Sequence, residues 1–319
     1  MRILHHWTDL DPSDRGACAA IGNFDGVHLG HQHVLDLTRS RADELDAPSG
    51  VVTFEPHPRS YFAALSGQTT PPFRLMNAAA KAHRLEKLGL DRLYELPFDA
   101  HLSGLSAEAF AAQVLADGLG LRHVVVGADF CFGKGRRGTA EDLHAFGTRM
   151  GFGTTIVPLV QLAEGDVSST RIREALAEGD AKGAARMLGH LHRIDGVVEH
   201  GEKRGRDLGF PTANMSLEGL HLPRFGVYAV TVDVLDGPHA GSYRGVSSLG
   251  VRPMFGENRP NLETYLLDFE GDLYGAELSV ALVDFLRDEE RYDGVPALVR
   301  QMRLDCDAAR AALTRHAAP

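Results

Sequence analysis

The chain has 319 residues, with 33 lysines and arginines against 43 aspartates and glutamates, and its formal net charge is −10. This acidic balance argues against a general nucleic-acid surface and against an anionic-membrane surface. Hydrophobic residues make up 44% and charged residues 24%, which excludes a disordered or fibrous chain. Because a typical domain holds roughly 150 residues, the length favours two domains.

Cysteine usage and the first residues indicate the compartment. Cys18, Cys131 and Cys306 form no C-x-x-C pair, so neither a disulfide framework nor a structural zinc site is predicted. The N-terminus carries His, Trp and Asp where a secretory signal needs an apolar stretch, and no apolar run of about 18 residues occurs. We therefore expect a cytoplasmic protein with no membrane partner.

Short apolar runs alternate with helical patterns in the first half of the chain. The predicted strands are 18–22, 51–55, 92–96, 124–127 and 154–160, and the predicted helices are 31–45, 74–88, 107–119, 140–150 and 170–177. Strand–helix repeats of this kind predict a doubly wound, Rossmann-like α/β domain. In such a domain, ligands gather at the carboxyl ends of the parallel strands.

After about Leu188, strands follow one another with only turns between them. The predicted strands are 193–199, 226–234, 243–249, 262–269 and 278–285, and a helix opened by Pro296 follows them. This half is predicted to be an antiparallel β-barrel with a C-terminal helix packed on it. The segment 180–191, where the repeat type switches, is the expected boundary, which divides the chain into domains 1–184 and 185–319.

The first candidate site lies where the first strand ends and the first long helix begins, in Gly22-Asn23-Phe24-Asp25-Gly26-Val27-His28-Leu29-Gly30-His31. Glycines let the backbone approach a phosphate, a helix start offers unpaired N–H groups, and imidazoles can donate to phosphate oxygens. A turn with two incidental surface histidines is the alternative. Asp25 either caps the helix or orients a histidine.

A second candidate phosphate site is the helix start Ser168-Ser169-Thr170-Arg171-Ile172-Arg173. Ser and Thr before a helix are ordinary capping residues, which is one interpretation. Consecutive hydroxyls, free N–H groups and guanidiniums also suit a polyphosphate, which arginine binds with paired donors.

The H-x-G-H and S-S-T-x-I-R motifs together resemble the nucleotidyltransferase superfamily with the HIGH signature. Two further motifs make the chain similar to the FAD synthetase module of prokaryotic bifunctional riboflavin kinase/FMN adenylyltransferases. They are Thr53-Phe54-Glu55-Pro56-His57-Pro58 and Gly127-Ala128-Asp129-Phe130-Cys131-Phe132-Gly133-Lys134-Gly135-Arg136-Arg137-Gly138. The roles of Thr53 and His57 stay open, and Glu55 is interpreted as a strand-end surface carboxylate.

This resemblance implies attack of the FMN phosphate on the α-phosphorus of ATP, with release of pyrophosphate. His28, His31 and Arg173, together with Mg²⁺, would neutralise the charge that gathers on the phosphate oxygens. The resemblance also implies that nucleotide and flavin contact Gly22, Asn23, Phe24, Asp25, Gly30, Asp129, Phe130, Phe132, Arg136, Ser168, Ser169 and Thr170.

The barrel half carries a glycine-spaced loop, Gly201-Glu202-Lys203-Arg204-Gly205-Arg206-Asp207-Leu208-Gly209-Phe210-Pro211-Thr212-Ala213-Asn214, which contains no P-loop motif. A solvated surface loop is the alternative. The string resembles that of the riboflavin kinase barrel, which implies that Thr212 and Asn214 hold Mg²⁺ with ATP. The same resemblance implies nucleotide contacts from Gly201, Gly205, Arg206, Gly209, Pro211 and Arg287.

The resemblance also implies that Glu263 is the general base for a ribityl hydroxyl, with Asp268 and Asp272 as reserve candidates. The chain departs from the usual family pattern at Ser248, Met254, Tyr265 and Tyr292. None of these four departures removes a candidate catalytic group, but they leave the flavin pocket open in detail.

The sequence therefore predicts a bifunctional enzyme. Riboflavin and ATP would give FMN and ADP on the barrel, and FMN and ATP would then give FAD and pyrophosphate on the α/β domain. The alternatives are an adenylyltransferase whose barrel only binds flavin, a non-catalytic flavin-binding regulator, and an RNA-binding barrel, which the acidic balance disfavours. No nucleic-acid partner is expected, and a weak homo-oligomer is left open.

Overall fold

The computed structural model describes residues 1–68, 71–158, 161–162, 165–200, 205, 208–254 and 257–317. The chain divides into two compact units, the first formed within residues 1–70 and 81–167 and the second within 71–80 and 168–319. The division into functional domains 1–184 and 185–319 stays a prediction.

The first unit is built on a parallel sheet. Its strands are β1 (Arg2–Leu4), β2 (Cys18–Ile21), β3 (Ser49–Glu55), β4 (Arg92–Pro97), β5 (His123–Gly127) and β6 (Gly153–Val157). Their order is β1-β4-β3-β2-β5-β6, and every neighbouring pair is parallel. All four residues of β2 are buried, as expected for a strand covered on both faces. The doubly wound α/β prediction is confirmed, with the short edge strand β1 added.

Helices cover this sheet. They are α1 (Leu29–Glu44), α2 (Pro58–Leu65), α3 (Ala78–Lys87), α4 (Ala100–Gly104), α5 (Ala107–Ala109, continued by a π-helical stretch Phe110–Gly118) and α6 (Ala140–Met150). The helix predicted over 74–88 begins later, at Ala78. The strand predicted over 154–160 ends at Val157, and a short hairpin of β7 (Gln161–Leu162) and β8 (Gly165–Asp166) follows.

After residues 71–80, the second unit continues with α7 (Ser169–Glu178) and α8 (Ala181–Leu188). Its strands are β9 (His192–Val197), β10 (Ala213–Ser216), β11 (Gly226–Val234), β12 (Gly241–Met254), β13 (Glu257–Leu266) and β14 (Glu277–Arg287). They form an antiparallel sheet in the order β10-β13-β12-β11-β14-β9, and an isolated bridge between Glu199 and Asn214 brings its two edges together. The barrel prediction is confirmed, but β10 was not among the predicted strands.

Helices also pack on the barrel. The last helix, α9 (Val295–Ala317), places Ala309 and Leu313 against Val227 and Val283, as predicted. The segment 180–191, expected only as a boundary, instead contains α8, whose first residue Ala181 joins the barrel core.

Candidate functional site

The glycine turn of the first unit, residues 22–28, follows β2. β2 pairs with β3 on one side and with β5 on the other. The order of the strands reverses at this point, which is where open α/β sheets bind ligands. Phe24 and Val27 adopt positive φ angles of 50° and 43°, and both side chains are buried. The turn therefore packs its apolar side chains into the core and leaves its backbone at the carboxyl edge of the sheet.

His28 is the N-cap of α1, and its Nδ1 accepts a hydrogen bond of 3.3 Å from the backbone N–H of His31. The two imidazoles stack with 3.6 Å between their ring centroids. Because Nδ1 of His28 is an acceptor, a neutral His28 carries its proton on Nε2. His28 is only 7% exposed, so the interpretation as an incidental surface histidine is wrong.

Burial lowers the pKa of His28 to about 4. Burial also lowers the pKa of His31 well below its usual value, and the neighbouring His28 and Lys81 lower it further. Both rings are therefore neutral near physiological pH, and the pair offers N–H donors rather than positive charge.

Three other residues of this motif lie near the start of α1 in the chain. Asp25 is buried but does not cap α1, since His28 occupies that position, so the capping alternative is wrong. Gly30 lies in the first turn of α1, and the carbonyl of Asn23 accepts a 3.4 Å hydrogen bond from the Thr53 hydroxyl.

Sequence reasoning missed Lys81 on α3. Its Nζ donates to Thr53 Oγ1 and to Glu55 Oε1, each at 3.1 Å, and the residue is 3% exposed. Glu55 is therefore an ion-paired carboxylate with a side chain that is 20% exposed, rather than a surface group. The signal in the sequence is a lysine four residues before the buried Leu85, a position that belongs to the apolar face of the helix.

The loop of residues 128–138, called the aromatic loop here, follows β5, which is the other neighbour of β2 in the sheet. Phe130 and Phe132 stack with 5.4 Å between their ring centroids. Phe132 is buried in the core, whereas Phe130 is half-buried and Asp129 and Arg136 are exposed. Phe132 thus supports the loop, and the other three side chains lie where a ligand can reach them.

The motif of residues 168–173 belongs to the second unit. The interpretation of its first residues as a helix cap is confirmed, because Ser168 is the N-cap of α7. Ser168 Oγ accepts from the backbone N–H of Arg171 at 3.3 Å, and Ser169 and Thr170 begin α7. Arg173 Nε donates to the carbonyl of Phe73 at 2.6 Å, and its guanidinium lies 5.7 Å from the centre of the Phe73 ring. The phosphate-binding role of this motif stays a prediction.

On the barrel, Asn214 of β10 lies directly opposite Glu263 of β13. Residues paired in this way carry their side chains on the same face, roughly 5 Å apart at Cβ. Asn214 is 7% exposed, and its Oδ1 accepts from Asn261 Nδ2 at 3.1 Å while its Nδ2 donates to the Thr212 carbonyl at 3.2 Å. A carboxylate and an amide oxygen therefore lie on the same face of the sheet.

A cavity lies beside these residues. Its lining includes Gly205, Pro211, Thr212 and Asn214, and also Val198, Ala213, Leu266, Phe269, Glu270, Gly271, Asp272, Leu273 and Tyr274. Phe269 and the five residues that follow it, up to Tyr274, belong to the loop after β13, where the sequence had offered Asp272 as a reserve candidate. The predicted Gly201 and Arg206 lie outside the described residues.

The donors of this site fit Mg²⁺ that arrives with a nucleotide. Across the described ranges, no group of three or more His, Cys, Asp or Glu side chains is placed to hold a metal ion by itself. Mg²⁺ commonly keeps several waters and binds through substrate phosphates plus one or two protein oxygens. The Thr212 hydroxyl and the Asn214 amide oxygen match that requirement.

The remaining barrel candidates have structural partners. Arg287 makes a bidentate ion pair with Asp305 of α9, at 2.8 and 2.6 Å, and Asp268 makes one with Arg310, at 2.7 Å for both bonds. Gly209 has a φ of 84°, in the region that favours glycine.

Three of the four departures from the family pattern have side chains that the structure describes. Ser248 of β12 pairs with Glu263, Tyr265 contacts the Phe210 ring edge-on at 5.2 Å, and the Tyr292 ring lies 5.8 Å from the Arg287 guanidinium. The side chain of Met254 is not among the parts that the structure describes.

Comparison with known proteins identifies both halves. A family model described as FAD synthetase matches residues 10–171, and one described as riboflavin kinase matches residues 188–313. The chain is 44% identical to the bifunctional riboflavin kinase/FMN adenylyltransferase of Pseudomonas fluorescens, over 98% of this chain and 97% of that one. Proteins of the same name from Haemophilus influenzae and Escherichia coli K12 are 38% and 35% identical over 93% and 96% of this chain, and over 94% and 96% of their own lengths.

Among solved structures, a crystal structure named as a macrolide-efflux protein from Streptococcus pneumoniae is similar, with a TM-score of 0.81 and 30% identity. The similarity covers 97% of this chain and 99% of that one. Within the residues described here, none of the helices has the length and apolar character needed to cross a membrane.

Proposed function

Because the chain belongs to the family of bifunctional riboflavin kinase/FMN adenylyltransferases, we propose that its two candidate sites perform the two steps that the family name describes. Riboflavin and ATP give FMN and ADP on the barrel, and FMN and a second ATP give FAD and pyrophosphate on the α/β domain. The pairing of Asn214 with Glu263 is the observation that supports the kinase step most directly, since it puts the proposed base beside a proposed ligand for Mg²⁺-ATP.

In the kinase step, Glu263 accepts the proton of the terminal ribityl hydroxyl as that oxygen attacks the γ-phosphorus of ATP and ADP leaves. Thr212 and Asn214 would hold Mg²⁺, which when bound neutralises charge on the phosphates. Gly201, Gly205, Arg206, Gly209 and Pro211 would contact the nucleotide, as would Arg287, which is also ion-paired with Asp305 of α9.

In the adenylyl step, an FMN phosphate oxygen attacks the α-phosphorus of ATP and pyrophosphate leaves, so no covalent intermediate is needed. His28 donates from Nε2 and His31 supports it by stacking. Arg173, with the hydroxyls and N–H groups of Ser168, Ser169 and Thr170, binds the phosphate chain.

The flavin and its phosphate lie along the carboxyl edge of the parallel sheet. The proposed contacts are Gly22, Asn23, Phe24, Asp25 and Gly30 from the first turn, with Asp129, Phe130, Phe132 and Arg136 from the aromatic loop. The functional division remains 1–184 for adenylyl transfer and 185–319 for the kinase.

We also propose that the enzyme works in the cytoplasm. Its three cysteines are free thiols, which accords with a reducing compartment. Absence of nucleic-acid and membrane partners and weak self-association stay predictions.

The test is chromatography of the products that the full chain makes from riboflavin, Mg²⁺ and ATP. We expect FMN to form first and FAD to follow, with ADP and pyrophosphate released. A flavin-binding regulator would return riboflavin unchanged, and an adenylyltransferase alone would form FAD only when FMN is supplied. Either outcome would contradict the bifunctional assignment.

A further inference from the structure

The loop of residues 217–225 joins β10 to β11 and is hydrogen-bonded to α7. The backbone N–H of Arg224 donates to the carbonyl of Leu176 at 2.8 Å, and Nε2 of the His221 ring lies 2.9 Å from the carbonyl oxygen of Arg173. Because a carbonyl oxygen only accepts, Nε2 of His221 carries the proton of this bond. The loop therefore holds α7 at two points, one in each half of the helix.

The same loop holds the segment that precedes α3. Leu220 and Arg74 form an isolated parallel bridge, and the backbone N–H of His221 donates to the carbonyl of Arg74 at 2.7 Å. Residues 71–80 are grouped with the second unit, although the residues on both sides of them in the chain belong to the first. These backbone contacts attach the segment to the unit that contains α7.

The Arg173 side chain connects α7 to this segment. Its Nε donates to the carbonyl of Phe73 at 2.6 Å, and its guanidinium carbon lies 5.7 Å from the centre of the Phe73 ring. A hydrogen bond from Nε together with contact to a ring fixes the plane of a guanidinium, and its paired donors match phosphate in a defined orientation. The direction of the Arg173 guanidinium thus depends on where Phe73 lies relative to α7.

His221 fixes this relation from both sides. Its ring donates to the backbone of Arg173, and its own backbone N–H donates to the carbonyl of Arg74, the residue that follows Phe73. The two supports of the guanidinium therefore meet at one half-buried residue, which none of the sequence motifs contains.

We propose that His221 is a positioning residue for adenylyl transfer, whose ring, by holding α7 against residues 73–74, orients the Arg173 guanidinium for the phosphate chain of ATP. This inference rests on the proposed function of Arg173, and His221 acts on the reaction only through that residue. It follows that a residue from the proposed kinase division 185–319 serves the step assigned to 1–184.

Four variants separate the hydrogen bond from packing and from charge. His221→Phe keeps a ring of similar shape and removes the donor, whereas His221→Gln keeps an N–H donor on a side chain of similar reach. His316→Phe, at an exposed position near the end of α9, is the matched control for the introduced ring. Arg173→Lys keeps the positive charge and removes the planar guanidinium.

The first readout is kcat/KM for ATP in FAD formation from supplied FMN. We expect His221→Phe to lower it by about tenfold, because one hydrogen bond that supports the guanidinium is lost. His221→Gln should stay within about twofold of the wild type, since its amide can donate to the same carbonyl. His316→Phe should match the wild type, and FMN formation on the barrel should be unchanged in all three histidine variants.

A double-mutant cycle tests whether His221 acts through Arg173. In the Arg173→Lys background, His221→Phe should lower kcat/KM for ATP by less than about twofold, because lysine has no plane to orient. If His221→Phe caused its full loss in this background as well, His221 would act elsewhere and the proposal would be wrong.

The last readout is independent of turnover. In protein labelled with ¹⁵N at the arginine Nε atoms, the Nε–H signal of Arg173 is assigned by its disappearance in Arg173→Lys. Its hydrogen exchange with water should be faster in His221→Phe than in the wild type and should slow again in His221→Gln. If the wild type forms no FAD, the proposed function fails while this exchange still tests His221.

Three results would each overturn the proposal. They are an unchanged exchange rate in His221→Phe, equal losses of FAD formation in His221→Phe and His221→Gln, and an equal loss of FMN formation on the barrel. Should His221→Phe not fold, His221→Ala takes its place in every comparison.

Discussion

At the scale of single residues, the proposed kinase site depends on a carboxylate, Glu263, whose position comes from strand pairing. Glu263 is half-buried opposite Asn214, whereas Asp272 lines the cavity beside Asn214 and accepts a hydrogen bond from the backbone N–H of Tyr274 at 3.0 Å. The other reserve candidate, Asp268, is committed to Arg310. Of these three candidates, Glu263 is the one we propose as the base, because it is paired with Asn214.

Glu263→Gln keeps the shape of this side chain and removes its basicity. We expect FMN formation to fall by about 10²–10⁴-fold, while FAD formation from supplied FMN stays at the wild-type rate. Initial rates of the two half-reactions measure both effects. Asp272→Asn is the matched control, and a larger loss from that variant would contradict the assignment of the base.

His28→Asn tests the histidine pair without removing the helix cap, because asparagine is a good N-cap residue. We expect FAD formation to fall by about 10²-fold or more, since a donor to the phosphates is lost, and FMN formation to be unchanged. His33→Asn, at an exposed position of the same helix, is the control. Equal losses in both half-reactions of a folded His28→Asn protein would contradict two independent sites.

At the scale of elements, α9 is attached to the barrel by two ion pairs of different burial. Asp305 is 6% exposed, and its carboxylate accepts hydrogen bonds from Arg287 and from Gln301. The distance from Gln301 Nε2 to Asp305 Oδ1 is 2.9 Å. The Arg310–Asp268 pair is exposed to solvent. The first pair should contribute to stability, and the second should contribute little.

Asp305→Asn should therefore lower the free energy of unfolding by about 2 kcal/mol, less than for a fully buried pair because Arg287 is partly exposed. Asp268→Asn should leave the unfolding midpoint nearly unchanged. Urea unfolding followed by circular dichroism compares the two variants. A larger effect from Asp268→Asn would show that α9 is held differently.

Two elements, β10 and α8, also show why local sequence patterns do not predict every strand and helix. β10 has four residues within a string of Gly, Pro and Thr, and it becomes a strand because it pairs with β13. α8 carries glycine and short side chains, yet it forms because Asp180 caps it, accepting from Gly183 N–H at 2.7 Å, and because Ala181 joins the barrel core. Tertiary contacts stabilise both elements more than their own propensities do.

At the scale of the whole molecule, the two proposed sites belong to two different sheets, and we expect FMN to pass from one to the other through solution. A mixture of the Glu263→Gln and His28→Asn proteins, given riboflavin, Mg²⁺ and ATP, should form FAD after a lag. Neither variant should do so at a comparable rate by itself. Chromatography over time measures this complementation, and its failure with both half-reactions intact would mean that FMN is not released.

The sequence by itself determined the two fold classes, the order of the motifs and the residue types that we propose to bind phosphate. These features follow from local periodicity and from short strings such as Gly22–His31 and Pro211–Asn214. Only the tertiary structure decided that the first turn lies between β3 and β5, that Asn214 faces Glu263, and that Lys81 is buried beside Thr53 and Glu55. Strand order, register and the burial of a charge depend on contacts between residues far apart in the chain, which local patterns do not contain.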